Sequence, residues 1–457
     1  MLFKNMQHIH FVGIGGIGMS GLAEVLLNLG YQISGSDLVD TSLTQRLQHL
    51  GVSFYLGHRA ENISQANVVV VSSAIREDNV EVITAKERAI PVIPRAEMLA
   101  ELMRMKDSIA VTGAHGKTTT TSLIAAVLAQ AGLDPTVVIG GKLNIWGSNA
   151  KLGQGDFLVA EADESDGSFL KLLPTIAVVT TLEEEHLDHY QDLEAIKTAF
   201  VQFVNKVPFY GFVVLCTDEV NIYGLLPQLE KRYVTYGFRD DAHYIARDSH
   251  FHYSTTEFTA YFKDKELGQI RLNMPGLHNV YNALAAIAVG LELNLSFSVI
   301  QEALAGFSGI QRRFEIKGEK AGITLVDDYG HHPTEIKATL KAARQGWPER
   351  RLVVLFQPHR YTRTQTLLPR FFNAFEEADV LIITSIYSAG EKPIEGIDAR
   401  LIYQGIKGQG HPQVIYLETK EEGLQYLKDN ARSGDLILTL GAGDIWKVGE
   451  EFWQQLA

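Results

Sequence analysis

The chain has 457 residues, too many for one hydrophobic core, and its length points to about three domains. Apolar residues make up 46% and charged residues 21%, an ordinary globular balance, and no apolar run reaches the ~18–20 residues needed to span a bilayer. The net charge of −13 argues against a basic nucleic-acid-binding face, while leaving room for a locally basic site that takes a phosphorylated substrate. The N-terminus MLFKNMQHIHFVGIGG lacks the long apolar segment and small-residue cleavage site of a signal peptide, so a cytoplasmic protein is expected. The single cysteine, Cys216, cannot form an intramolecular disulfide or a zinc cluster, and its neighbours in GFVVLCTDE mark it as a buried strand residue.

Strand runs alternate with amphipathic helical stretches in three blocks, the pattern of doubly wound parallel α/β sheets. In the first block, strands are predicted at Ile9–Val12, Tyr31–Ser34 and Asn67–Ser72, with a helix over Met19–Leu29. Gly13-Ile14-Gly15-Gly16-Ile17-Gly18 follows the first strand and opens the helix. Glycines there permit a tight turn and bring backbone N–H groups against a diphosphate at the helix N-terminus. Asp37 ends the next strand, where an acidic residue accepts from a ribose hydroxyl. Such a turn fits an NAD-dependent dehydrogenase, but any nucleotide diphosphate, a UDP-sugar included, satisfies the same backbone geometry.

The second block opens with a strand at Ser108–Thr112, followed by Gly113-Ala114-His115-Gly116-Lys117-Thr118-Thr119 and a helix over Lys117–Gln130. Loop amides of this kind wrap a polyphosphate, the lysine reaches its outer oxygens, and the next hydroxyl ligates Mg²⁺. The usual spacing would place a further glycine at position 111, which is Val111, so the match is partial. Strands at Phe157–Glu161 and Ile176–Thr181 end in two acidic clusters. One holds Glu161, Asp163, Glu164 and Asp166; the other holds Glu183, Glu184, Glu185, His186, Asp188 and His189. Burying so many carboxylates without a cation is costly, which favours a metal, although composition does not say which of them bind it. A helix around Leu193–Asn205 comes next, then short alternating segments over Tyr233–Asn273 that predict a small antiparallel patch, then a helix over Val280–Leu291. Asn279 and Asn282 lie one turn apart where that helix starts.

The third block carries predicted strands at Ile323–Val326, Leu352–Phe356, Val380–Thr384 and Leu436–Leu440. Arg312 and Arg313 mark the join to it. Asp327, Asp328, Tyr329, His331 and His332 follow one strand, and His359, Arg360 and Arg363 follow another. Together these suggest a second substrate site. A nucleotide-hydrolysing switch or motor remains a reading of the phosphate loop, but it would need no small-molecule substrate.

The ordered set HIHFVGIGGIGMSG, SSAI, RAEML, TGAHGKTTTT, EADESD, HLDHY, PFYG, PGLHNVYNALAA, RRF, VDDYGHHPTE and QPHRYTRT runs through essentially the whole chain. In these motifs the chain resembles the Mur ligase family of peptidoglycan synthesis. The resemblance implies an α/β protein of three domains. Residues 1–106 form a Rossmann-like UDP-sugar-binding domain. Residues 107–313 form a P-loop ATPase-like central domain with the antiparallel patch, and 314–457 form a Rossmann-like, doubly wound C-terminal domain on the amino-acid side.

The implied reaction joins L-alanine to the lactyl carboxylate of UDP-N-acetylmuramate through an acyl phosphate, with ATP and Mg²⁺. It is carried out by a cytoplasmic monomer or weak homodimer that engages neither membrane nor nucleic acid. Closure of the domains over a dry site is expected, because an acyl phosphate hydrolyses in water. The family alternative is a ligase that attaches a preformed tripeptide to the same sugar nucleotide; GIGGIGMSG favours the L-alanine enzyme.

Carried over residue by residue, Gly113, Ala114, His115, Gly116, Lys117, Thr118 and Thr119 hold ATP together with Asn279, Arg313, Asp328 and His331. Gly13, Gly15, Gly16, Ile17, Gly18, Asp37, His58, Ser72 and Ser73 hold the UDP-sugar. Thr118, Glu161 and His186 hold the metal, and His359, Arg360 and Arg363 lie on the acyl and amino-acid side. Lys117, Glu161, His186, Asn279, Asn282, Arg313 and Asp328 form the catalytic set. Some family members carry a carbamoylated lysine on the helix after HLDHY. Here Ala199 or Phe200 falls at that position and Lys197 is out of register, so the modification is not expected.

Overall fold

Segments such as VVVV at Val68–Val71 and DLILTL at Asp435–Leu440 are apolar on both faces, and strands of that kind need helices above and below them. The structure, a computed structural model, describes residues 7–72, 74–139, 150–186 and 189–456; Ser73 and Asp188 lie outside them.

The first sheet contains β1 (His8–Val12), β2 (Gln32–Asp37), β3 (Ser53–Leu56), β4 (Val68–Val71) and β5 (Val92–Pro94), all parallel in the order β3-β2-β1-β4-β5. The order reverses beside β1, so the carboxyl end of β1 is the crevice where open α/β sheets take ligands.

The second sheet contains β6 (Asp107–Thr112), β7 (Thr136–Val138), β8 (Ala150–Lys151), β9 (Phe157–Glu161), β10 (Ile176–Val179), β11 (Phe212–Cys216), β12 (Tyr233–Gly237), β13 (Tyr244–His252), β14 (Thr255–Phe262) and β15 (Lys265–Leu272). Its order is β15-β14-β13-β12-β11-β10-β6-β9-β7-β8. The phosphate-loop strand β6 is central, parallel to both β10 and β9.

Sequence alternation places the start of the antiparallel patch at Tyr233, but β12 pairs parallel with β11. Its residues are buried almost without alternation, as a strand inside a parallel sheet requires. The hairpins begin one strand later. Two-residue turns, with Tyr253 at φ 48° and Lys263 at φ 53°, join β13 to β14 and β14 to β15, and so short a connection serves only antiparallel strands. The strands β3, β5, β7 and β8 span two to four residues each, too short for a readable period.

The third sheet contains β16 (Glu315–Lys320), β17 (Ile323–Asp328), β18 (Arg351–Phe356), β19 (Val380–Ile383), β20 (Val414–Tyr416) and β21 (Asp435–Leu440), in the order β16-β17-β21-β18-β19-β20. It is parallel apart from the edge strand β16. Alternate residues of β18 feed two cores: Val354 and Phe356 pack with Leu340, Phe375 and Leu438, and Val353 and Leu355 pack with Ile382, Ile437 and Phe452.

The chain divides into two compact units. One comprises Met1–Arg247, Thr259–Gln269 and Tyr281–Phe307; the other comprises Asp248–Phe258, Ile270–Val280 and Ser308–Ala457. Among the described residues no helix is long and apolar enough to cross a membrane.

Candidate active site

In the first unit, Gly13 leaves β1 at φ 81°, a left-handed conformation that favours glycine. Ser36 O at the end of β2 accepts both Gly13 N–H (2.8 Å) and Ile14 N–H (3.1 Å). Asp37 Oδ2 accepts from Gly15 N–H at 2.9 Å, and a Cβ on Gly15 would stand only 2.9 Å from that oxygen. Asp37 therefore closes the turn as well as standing at the end of its strand. Gly16 caps the Ile17–Asn28 helix without a side-chain hydrogen bond, so the first-turn amides are presented to the crevice.

The phosphate loop is built on the same plan. Gly113 sits at φ 130°, and a Cβ there would lie 2.3 Å from Thr180 Oγ1 and 2.8 Å from Thr181 N. Thr181 fastens the loop from the end of β10, accepting Ala114 N–H on its carbonyl (3.2 Å) and His115 N–H on its hydroxyl (2.8 Å). Gly116, at φ 80°, caps the Lys117–Gln130 helix with no side-chain bond and packs against Asn282, whose Oδ1 accepts from Thr120 Oγ1 at 3.1 Å. Asn282 thus braces the start of the phosphate-loop helix.

Lys117 Nζ donates to Gly113 O at 2.6 Å and to Glu164 Oε1 at 2.8 Å. Glu164, almost fully buried, also accepts from Thr112 Oγ1 (3.3 Å) and lies 3.6 Å from His186 Nε2. Burial works against the charge on Lys117, but Glu164, Asp163 and Glu161 outweigh it and hold the pKa above the ordinary lysine value. For His186, held at φ 58°, burial opposes the charge, but Glu164 and Glu185 prevail and raise the pKa above the ordinary histidine value. His115 Nε2 stands 3.6 Å from both Glu183 and Glu185.

A cleft of about 320 Å³ joins these two elements, running from Gly16, Ile17 and Gly18 past Ser72 and Arg95 to Lys117, Glu161 and Asp163. Arg95 packs against Gly18 and reaches to 3.8 Å from Asp163 Oδ2, linking the glycine turn to the acidic cluster. Three carboxylates (Glu161, Asp163 and Glu164) thus act on one ammonium, with the Thr118 hydroxyl beside it on the helix. Oxygen donors carrying excess negative charge suit a hard dication such as Mg²⁺, so the residues fit the metal that the sequence suggests.

In the second unit, Asp328 ends β17 and is buried. Its Oδ2 accepts Phe314 N–H and its Oδ1 accepts Gly330 N–H, both at 2.7 Å, with Thr339 Oγ1 at 3.2 Å. Burial raises its pKa to about 6 against the opposing pull of Arg313. Arg313 sits between Arg312 (φ 59°) and Phe314 (φ 45°), with its guanidinium over the Tyr329 ring and 3.6 Å from Glu335 Oε1. Arg312 donates to Asp327 Oδ2 at 3.0 Å and to Gly443 O, which makes it a structural tie.

His331 and His359 lie 5.6 Å apart; His359 stacks on Tyr387 and accepts from Arg363 Nη1 at 3.0 Å. Burial lowers His331 to about 4 and His359 to about 3, so both imidazoles are neutral at physiological pH. Arg360, at φ 67°, opens the Tyr361–Phe371 helix and donates its N–H to Tyr387 O (2.8 Å). His278 and Asn279 precede the unit boundary within the Leu277–Glu292 helix. Asn279 is buried, and its Nδ2 donates to Pro275 O at 2.8 Å.

Three family models match consecutive stretches of the chain: the Mur ligase family catalytic domain over residues 8–107, the Mur ligase middle domain over 111–290, and the Mur ligase glutamate ligase domain over 312–443. The chain belongs to the Mur ligase family. It is 58% identical over 451 residues, 99% of each chain, to the UDP-N-acetylmuramate–L-alanine ligase of Desulfatibacillum aliphaticivorans. Its fold is similar to the crystal structure of UDP-N-acetylmuramate-alanine ligase MurC from Thermotoga maritima, with a TM-score of 0.84 and 29% identity over 98% of each chain. A murein peptide ligase from Psychrobacter arcticus gives a TM-score of 0.71 at 26% identity over the same share of each chain.

In this Mur ligase the fold brings the glycine turn, Ser72, Lys117 and Glu161, all named from the sequence, to one cleft. Sequence reading named Glu164 only as one of a cluster of carboxylates and gave no role to Arg95, Thr181 or Glu81. Arg95 and Glu164 stood in plain view within RAEML and EADESD, but only the fold supplies their partners. His331, His359, Arg360 and Arg363 do gather in the second unit. On the Leu193–Val204 helix, Ala199 and Phe200 are buried, and Lys197 pairs with Glu194 at 2.8 Å.

Proposed function

We propose that the chain joins L-alanine to the lactyl carboxylate of UDP-N-acetylmuramate, converting ATP to ADP and phosphate, in the cytoplasm during peptidoglycan precursor synthesis. The observation that carries this reading is the cleft from the glycine turn to Lys117 and Glu161. A sugar nucleotide whose diphosphate rests on the amides of the Ile17–Asn28 helix extends its sugar along that cleft toward the phosphate loop. A hydride-transferring enzyme would have no use for the second phosphate site. The curated relatives at 56–58% identity are L-alanine ligases, which supports that amino acid over a tripeptide.

The first-turn amides of the Lys117–Gln130 helix and the Lys117 ammonium hold the ATP phosphates, with Lys117 exchanging its bond to Gly113 O for phosphate oxygens. A lactyl carboxylate oxygen attacks the γ-phosphorus, the bond to ADP breaks, and an acyl phosphate forms. The L-alanine amine then attacks the acyl carbon, loses a proton, and expels inorganic phosphate as the amide forms. Mg²⁺, held by Thr118, Glu161 and His186, would neutralise polyphosphate charge. Glu164 keeps Lys117 charged and aimed at the loop. Asn279, Arg313, Asp328 and His331 are assigned to the nucleotide, with Asn282 bracing the loop. His359, Arg360 and Arg363 are assigned to the acyl and amino-acid side.

The test is phosphate release from ATP with UDP-N-acetylmuramate and, separately, L-alanine, glycine, L-serine or the tripeptide. L-alanine is expected to give the fastest release. Release that needs neither UDP-N-acetylmuramate nor an amino acid would sink the ligase reading.

A further inference from the structure

Beneath the glycine turn lies a buried polar cluster that the reaction described above does not use. Glu81, on the Val80–Glu87 helix, is fully buried beside His10, which is equally inaccessible. Its Oε2 accepts from Ser36 Oγ at 2.5 Å and lies 3.3 Å from His58 Nδ1 and 3.6 Å from His10 Nε2. Its Oε1 accepts Asn62 Nδ2 (2.5 Å) and Arg59 N–H (3.2 Å). One carboxylate therefore ties the carboxyl end of β2, where Ser36 O receives the amides of Gly13 and Ile14, to the segment after β3 that carries His58.

The donors settle the proton on His58. Glu81 accepts on both oxygens, and Ser36 Oγ spends its hydrogen on Glu81, so Ser36 Oγ can only accept from His58 Nδ1, 2.9 Å away. His58 Nδ1 must carry the hydrogen. On the neutral ring Nε2 is then the bare nitrogen, and the His58 side chain is 13% exposed. Burial opposes the charge on Glu81, but His10, Ser36 and Asn62 overcome it and lower its pKa to about 2, so the acceptor persists.

We infer that Glu81 is a positioning residue for the nucleotide site: it holds His58 as the Nδ1–H tautomer, so that Nε2 presents an acceptor to a donor on the nucleotide, a uracil N–H or a ribose hydroxyl. This rests on the reading of the chain as a UDP-sugar-consuming ligase. Glu81→Gln keeps the shape but replaces an acceptor with an amide donor, which favours the opposite tautomer of His58.

The experiment measures kcat and KM for UDP-N-acetylmuramate and ATP in the wild type, Glu81→Gln, His58→Ala and the double variant, together with ¹⁵N imidazole shifts of His58 in the wild type. Glu81→Gln is expected to raise KM for UDP-N-acetylmuramate about tenfold, with kcat and the ATP KM within about twofold, and to add little in the His58→Ala background. The shifts should report Nδ1–H. Equal effects of Glu81→Gln in both backgrounds, or a wild-type His58 protonated on Nε2, would overturn the positioning role, and the shifts decide it even where a variant does not fold. Failure of the wild type to turn over UDP-N-acetylmuramate would instead overturn the ligase reading.

Discussion

Glu164 Oε1 lies 2.8 Å from Lys117 Nζ, an ion pair whose carboxylate is only 3% exposed. Glu164 also accepts from Thr112, the last residue of the strand that leads into the loop. A lysine left in that position without its carboxylate would face the full desolvation of its ammonium. The pair therefore maintains a charged lysine at the start of the glycine-loop helix.

Lys117→Ala is expected to abolish phosphate release while UDP-N-acetylmuramate still binds, because the glycine turn is a separate element. Glu164→Gln should slow turnover by about 10²-fold or more and destabilise the fold by roughly 3 kcal/mol, since it strands a buried charge. Steady-state rates, calorimetric binding of UDP-N-acetylmuramate and urea unfolding give the readouts. A Lys117→Ala protein that no longer binds the sugar nucleotide would mean that the two nucleotide sites have been wrongly divided.

Gly113→Ala forces a side chain onto φ 130° and into Thr180 Oγ1 at 2.3 Å and the Thr181 backbone at 2.8 Å. Strain of this kind costs on the order of 1–3 kcal/mol and displaces the loop amides. Loss of ATP binding with a lowered melting temperature is expected. Normal ATP affinity in a stable variant would argue that the loop is not the phosphate cradle.

Asp328 has its pKa raised to about 6 by burial. The native protein then retains a proton that the unfolded chain releases near pH 4, so this carboxyl's contribution to stability falls as pH rises between about 4 and 6. Asp328→Asn places an amide against the Phe314 or Gly330 N–H and should cost about 1–3 kcal/mol. The gap between wild type and variant should narrow as pH rises through that window. Urea titrations at pH 4.5 and 6.5 test it, and a gap that widens instead contradicts the buried, protonated carboxyl.

His331 and His359 are held neutral by burial, with pKa values lowered to about 4 and 3. Between pH 5 and 8 the KM for L-alanine should therefore show no histidine titration from this pair. His359→Gln should raise that KM about tenfold, leaving the KM for ATP unchanged, by removing the ring that Arg363 and Tyr387 hold. An inflection near pH 6.5 that disappears in His359→Gln would show that the imidazole is charged and the burial argument mistaken.

Much of the frame was legible from residue order. Glycines at 13, 113 and 116 adopt positive φ at the two turns where sequence expects phosphate-binding loops. Runs such as Val353–Phe356 are apolar on successive residues because both faces of a parallel sheet are covered. The start of the antiparallel patch was misplaced at Tyr233 because a five-residue buried strand and the first strand of a hairpin look alike when short.

The sequence by itself determined where the chain turns, which segments are strands covered on both faces, and where two glycine turns lead into helices. Those properties depend on a residue's own backbone freedom and on its near neighbours. Tertiary structure alone decided that Glu164 among the clustered carboxylates meets Lys117, that Arg95 bridges Gly18 and Asp163, and that Glu81 is buried behind His58. Which acid meets which base in a desolvated site depends on contacts between distant segments, and neither composition nor spacing encodes that pairing.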